Sequence, residues 1–181
     1  MEISKTNIPE VLLFEPTIHG DNRGYFMETF RAAHFEENGL DFNFVQDNQS
    51  RSQKGTLRGL HYQLHYPQGK LARVTNGEIF DVAVDLRSSS PTFGQWAGEI
   101  LSAENKKQLW IPPGFAHGFL VLSDSADLLY KCTDYYRPED EHSLFWKDPD
   151  LAIAWPEIGV EPIISEKDQL AQAFSSASVY K

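Results

Sequence analysis

Between Ile79 and Arg87 apolar and polar positions alternate. Phe80, Val82, Val84 and Leu86 share one face and Asp81, Asp85 and Arg87 the other, the period-2 signature of a strand with one buried face. Just upstream, Asn76-Gly77 is a strong hairpin signal, because both residues tolerate positive φ. The pattern therefore predicts that Leu71 to Thr75 pairs antiparallel with Glu78 to Arg87. Further short runs, Gln95 to Ser102, Gln108 to Ile111, His117 to Ser123 and Ala126 to Tyr136, are separated by Ser-Pro, Pro-Pro-Gly and Ser-Asp-Ser turn signals. Strands at this spacing predict a mainly β sandwich or barrel. Helix is scarce. Phe30 to Asn38 reads as a short helix closed by Gly39, and Ser165-Glu166-Lys167-Asp168 has the form of a capping box opening a helix through Leu170 and Ala171. With no repeat, low-complexity tract or composition break to mark a linker, residues 1–181 are read as one domain.

Composition narrows the classes. The 181 residues are 41% hydrophobic and 23% charged, enough to build a core and incompatible with general disorder. Sixteen Lys plus Arg against 26 Asp plus Glu leave a net charge of −10, which argues against a nucleic-acid or anionic-lipid partner. The single cysteine, Cys132, excludes an internal disulfide framework and a Cys-based zinc cluster. No apolar run has membrane-spanning length and the N-terminus lacks a signal-peptide core, so a cytoplasmic location without membrane attachment is expected.

Charge is also segregated. Asn48 to Gly77 contains Arg51, Lys54, Arg58, Lys70 and Arg73 and no acid, leaving 11 basic against 26 acidic residues, a balance of −15, on the remainder. Arg58, Lys70 and Arg73 on neighbouring strands suit a phosphate or another small anion. A solvated strand edge is the alternative, and charge alone leaves both open. Within the stretch, Arg58-Gly59-Leu60-His61-Tyr62-Gln63 read as a strand puts Arg58, Leu60 and Tyr62 on one face and His61 and Gln63 on the other. His61 is a candidate base, since imidazole titrates near working pH.

A second histidine, His117, follows the turn Pro112-Pro113-Gly114. The form P-x-G-x-x-H resembles the second motif of the cupins, small antiparallel jelly-roll barrels that often bind a metal through two histidines one residue apart, a downstream Glu and the second-motif histidine. Here His61 is followed by Tyr62-Gln63, and no carboxylate lies between His65 and Glu78. Metal-free acid–base chemistry is the expected use, with a metal-dependent cupin enzyme as the alternative.

Several segments together resemble the dTDP-4-dehydrorhamnose 3,5-epimerases of dTDP-L-rhamnose biosynthesis: Gly20 to Glu28, Phe44 to Asn48, Leu57 to Gln63, Gln68 to Leu71, Phe80 to Arg87, Ser102 to Phe119, Leu129 to Lys131 and Trp146 to Pro149. They run in family order over nearly the whole chain. The resemblance implies a cupin-type jelly roll with short flanking helices and a cofactor-independent isomerase that removes the protons at C3 and C5 of a dTDP-4-keto-6-deoxy sugar and returns them on the opposite face.

By motif matching, His61 is the base, Asp168 its orienting carboxylate, Lys70 the enolate stabiliser and Tyr130 the acid. Arg23, Phe26, Glu28, Gln46, Asn48, Arg58, His117 and Tyr136 form the nucleotide-sugar site, with Tyr136 stacking on the base. The resemblance also implies a homodimer with exchanged N-terminal segments, so that Arg23 and Glu28 serve the neighbouring subunit. Epimerases that invert one carbon share much of this pattern, and Asp168, as the N3 residue of the capping box, reads from the residues alone as a helix cap.

Overall fold

A computed structural model describes residues 1–40 and 43–181. The strands are β1 (Glu2–Lys5), β2 (Leu12–Glu15), β3 (Ile18–Asp21), β4 (Gly24–Met27), β5 (Gln46–Gln53), β6 (Leu57–Gln63), β7 (Lys70–Asn76), β8 (Glu78–Asp85), β9 (Trp96–Ser102), β10 (Gln108–Ile111), β11 (Phe115–Val121), β12 (Ser125–Cys132) and β13 (Glu141–Ser143). Two short helices, α1 (Ala32–Glu36) and α2 (Glu166–Gln169), flank them. One antiparallel sheet runs β1-β2-β10-β7-β12-β5, a second runs β13-β6-β11-β8-β9, and β3 and β4 form a separate hairpin. The double-sheet jelly roll expected of the sequence is present, and both helices are shorter than their sequence signals.

The Asn76-Gly77 hairpin is not. β7 belongs to the six-stranded sheet and β8 to the five-stranded one, so the turn is a corner that passes the chain between sheets. Gly77 takes φ +73, and a Cβ there would lie 1.9 Å from the Ser125 carbonyl oxygen. The Ser123 hydroxyl accepts from the Glu78 amide at 2.8 Å. A local motif set the positive φ, but neighbours from the β11–β12 connection decided where the next strand went.

The alternation in β8 also has a different meaning from the half-buried strand expected. Phe80, Val82, Val84 and Leu86 pack outside the barrel against Leu151 and the partly buried Trp155, Phe174 and Tyr180 of the C-terminal segment. The opposite face points inward, where Ile79 and Ala83 join the inter-sheet core and Asp81 and Asp85 are fully buried. Both faces are covered, so the polar residues on the inner face are interior groups that need partners.

Asp85 finds five: the Arg87 guanidinium at 2.9 and 2.7 Å, the Arg87 amide at 3.0 Å, and the Ser90 and Thr92 hydroxyls at 2.6 Å each. Burial alone would raise its pKa, but the Arg87, Ser90 and Thr92 hydrogen bonds together lower it to about 2. A carboxylate depressed from 3.8 to about 2 adds about 2 kcal/mol of stability above the unfolded-state value, lost as pH falls through the folded one. Urea unfolding from pH 5 to pH 2 should show the stability gap between the parent and Asp85→Asn narrowing by about that amount; a constant gap would contradict the assignment.

β5 carries no apolar alternation, yet it is an edge strand eight residues long. Gln46, Asn48, Ser50 and Ser52 pair with Cys132, Tyr130, Leu128 and Ala126 of β12 and are less exposed than the residues between them. Its inner face is polar because it borders a cavity, not a core. Outside the six-stranded sheet, Phe14, Phe35, Leu71 and Trp110 form a further buried cluster around α1.

Candidate active site

Strand β6 places the first chemical group. Against β11, His61 pairs with His117 and Arg58 pairs with Phe119, so Gly59 and Leu60 stand opposite the single Gly118 and the register shifts between them. This bulge turns Arg58 to the same face as His61, whereas simple alternation predicts opposite faces. Gly59 makes it feasible: it takes φ +111, and a Cβ there would lie 2.6 Å from Gly118 Cα and the His117 carbonyl oxygen. Leu60 and Tyr62 face the outer apolar cluster.

His61 and Asp168 meet across the barrel mouth, with Nε2 2.6 Å from Oδ1. The Ser165 hydroxyl caps α2 by accepting from the Asp168 amide at 3.1 Å, which leaves the Asp168 side chain free to turn toward β6. The capping box is thus half formed: Ser165 caps the Asp168 amide, while the Asp168 carboxylate, instead of returning to the Ser165 amide, meets His61. The His61 side chain is 28% exposed and that of Asp168 only 4%, so the ring reaches open space and the carboxylate stands behind it. Burial raises the Asp168 pKa, but the hydrogen bond and charge of His61, with smaller help from the Gly59 amide, hold it below the usual range. An ionised Asp168 accepts from Nε2–H, which leaves Nδ1 as the basic nitrogen.

His61, Lys70 and Tyr130 line two adjoining cavities, of about 780 and 260 Å³. The larger adds Arg58, His117, Lys167 and Asp168, the smaller Gln46, Asn48, Tyr136 and Glu141. Lys70 and Tyr130 come from the sheet opposite His61: on β7 and β12, Lys70 pairs with Cys132 and Tyr130 with Ala72, which sets both side chains on the inner face. Burial pushes the Lys70 ammonium below its ordinary pKa, against the pull of Cys132, Glu141 and Asp81, and burial raises the Tyr130 phenol. Among the described residues the Lys70 side chain forms no hydrogen bond or ion pair, and it lines both cavities.

The other candidates divide into two groups. Arg58 donates to the Ser52 hydroxyl at 3.1 Å, bridging the two sheets. Gln46 donates to Asn48 at 3.1 Å and accepts from the Tyr136 amide at 2.9 Å. His117 contacts buried Asp81 at 2.5 Å. Arg23, Phe26 and Glu28 line neither cavity: Arg23 is paired with Asp21, Phe26 is 70% exposed, and Glu28 pairs with Arg31 at 2.7 Å. Arg73 also departs from the expected cationic cluster. It lies on the outer face of β7 in a separate cavity of about 130 Å³, because one residue along a strand reverses the face.

Two residues escaped the sequence reading. Glu141 Oε1 lies 3.9 Å from His61 Nδ1, and the same carboxylate accepts from the Tyr136 hydroxyl at 2.8 Å and from Lys167. Burial raises the Glu141 pKa, but these partners hold it low. Nothing local in Glu139-Asp140-Glu141 marks a site residue, and only the pairing of β13 with β6 brings Glu141 to the site. Among the described residues no three His, Cys, Asp or Glu side chains gather as a metal-binding group, and no helix is long and apolar enough to cross a membrane.

Residues 5–176 match the family described as dTDP-4-dehydrorhamnose 3,5-epimerase. The chain belongs to the dTDP-4-dehydrorhamnose 3,5-epimerase family. A family member from Pseudomonas aeruginosa is 56% identical over 181 residues, covering 99% of each chain. A solved structure of the enzyme from Legionella pneumophila, in complex with dTDP-4-keto-L-rhamnose, is 57% identical with a TM-score of 0.95, covering 98% of this chain and 94% of that one. A 3'-monoepimerase from Streptomyces bikiniensis in complex with dTDP-quinovose is more distant, 38% identical with a TM-score of 0.88 over 95% of this chain and 87% of that one. The two 3,5-epimerases named are thus more similar to this chain than this 3'-monoepimerase is.

Proposed function

We propose that the chain epimerises C3 and C5 of dTDP-4-keto-6-deoxy-D-glucose to give dTDP-4-keto-L-rhamnose, without a cofactor. The observation that carries this reading is the opposition of His61 and Tyr130 on facing sheets across one cavity. Inversion at a carbon next to a ketone needs a base on one face, an acid on the other, and a cation for the enolate oxygen. His61 Nδ1 takes the proton, Asp168 stabilises the imidazolium, Lys70 stands by the enolate oxygen and Tyr130 returns a proton from the far side. Tyr130 suits donation because its raised pKa keeps it protonated.

Arg58 and Lys167 on the wall of the larger cavity suit the diphosphate, with His117 held by Asp81 beside them. Gln46, Asn48 and Tyr136 form the nucleoside end, with the Tyr136 ring against the base. The β3–β4 hairpin leaves Tyr25 and Phe26 60% and 70% exposed. In this reading it crosses to a second copy in a homodimer, carrying Arg23, Phe26 and Glu28 into that copy's site. In this reading the enzyme acts in the cytoplasm on a soluble nucleotide sugar.

The deciding experiment is NMR of dTDP-4-keto-6-deoxyglucose incubated with the protein in deuterated water. Deuterium at both C3 and C5 with inversion is expected. Label at one carbon only would make it a single-centre epimerase, and no label would leave a binding barrel.

A further inference from the structure

Gln63 ends β6 two residues after His61, is only 3% exposed, and faces the smaller cavity. Its side chain is fully engaged with backbone. Nε2 donates to the carbonyl oxygens of Tyr66 at 2.7 Å and Tyr135 at 3.2 Å, and Oε1 accepts from the Arg137 amide at 2.7 Å. The residue between the last two is Tyr136, whose own amide is held by Gln46 and whose hydroxyl is held by Glu141. One amide group therefore clamps both sides of Tyr136.

The clamp also joins two loops. The segment after β6 and the one after β12 are tied by other contacts too: the Asp140 carboxylate accepts from the His65 and Tyr66 amides at 2.9 Å each, Gln68 donates to the Asp134 carbonyl at 2.8 Å, Thr133 accepts from the Gly69 amide at 2.8 Å, and the Arg137 guanidinium lies 3.8 Å above the Tyr66 ring. Gln63 is buried and is the link fixed to the strand of the base. Its backbone is pinned in turn, pairing with Glu141 and accepting from the Tyr180 hydroxyl at 2.5 Å. A planar amide with two donors and one acceptor used on three separate backbone groups defines the loop position more tightly than packing alone.

We infer that Gln63 is a positioning residue that sets the Tyr136 ring relative to His61 and so governs nucleotide affinity without touching the reacting carbons. The inference rests on the proposed assignment of Tyr136 to the nucleoside end. Gln63→Met keeps the length and removes every hydrogen bond. It should weaken dTDP binding, measured by calorimetry, and raise KM for the keto sugar by about tenfold, while kcat falls less than about threefold. Gln63→Glu sets an anionic oxygen against two carbonyl oxygens and should be as weak at neutral pH. Relative to the parent at each pH, its affinity should recover as pH falls and the carboxyl regains a donor.

Tyr136→Ala separates the two readings. In that background Gln63→Met should change dTDP affinity less than about twofold, since the group it positions is gone. If Tyr136→Ala alone leaves dTDP affinity unchanged, the assignment of Tyr136 falls and the inference with it. If it weakens binding but both Gln63 variants bind as the parent does, or if their loss is undiminished in the Tyr136→Ala background, only the positioning role falls.

Discussion

Replacing His61 by Asn should lower turnover by about a thousandfold and stop exchange of the substrate's C3 and C5 hydrogens with deuterated water. The expectation follows from the dyad. Asn retains a hydrogen-bonding side chain of similar reach but has no nitrogen that can take up a proton. Asp168 would still be desolvated, 4% exposed, with the imidazole that hydrogen-bonds to it removed. Some loss of stability should therefore accompany the loss of catalysis, of the order expected when one member of a buried pair is deleted. dTDP should still bind within about threefold, because the groups proposed for the nucleotide lie elsewhere in the two cavities. Exchange followed by NMR, together with dTDP titration, checks both points. Persisting exchange in a folded variant would remove His61 as the base and direct attention to His117, its neighbour across the β6–β11 pair.

Tyr130→Phe should separate the two halves of the reaction. In the proposed mechanism proton removal uses His61, Asp168 and Lys70, none of which hydrogen-bonds to the Tyr130 hydroxyl. The variant should therefore still wash deuterium into the substrate, while formation of inverted product falls by about a hundredfold or more. The phenol leaves no steric gap: Tyr130 packs against the inter-sheet core, and its ring is retained by Phe. Fold and substrate position are thereby preserved, and the change is confined to the donor on the far face. Comparing the rate of deuterium uptake with the rate of product formation is the measurement. Equal suppression of both would argue that the hydroxyl supports enolate formation instead of reprotonation.

Both experiments probe groups that the sequence named, but the reasons they sit together are tertiary. The fold class was legible because the central strands repeat with the pleat and are punctuated by Gly, Pro, Asn and Ser. The catalytic candidates were legible through family resemblance, which identified His61, Lys70, Tyr130 and Asp168 by their segments. Three local readings were altered by the fold. Asn76-Gly77 turns a corner between sheets, the inner face of β8 is buried with its aspartates, and Arg58 shares a face with His61. Polar β5 gave no periodic apolar signal, since a strand bordering a polar cavity places Gln, Asn and Ser where a core strand places Val and Ile.

By itself, then, the sequence determined which residue types are present at which spacing: an antiparallel β chain, a basic stretch without acids, and a histidine, a lysine, a tyrosine and an aspartate in family order. Tertiary structure decided which side of the cavity each reaches. A strand alternates faces at every residue, so one inserted position at Gly59 or one change of sheet at Gly77 redirects every side chain that follows. Local propensity is blind to that choice. It is set by groups far away in the chain: Gly118 and the His117 carbonyl against Gly59, Ser125 against Gly77, and the capped turn of α2 that delivers Asp168 to His61.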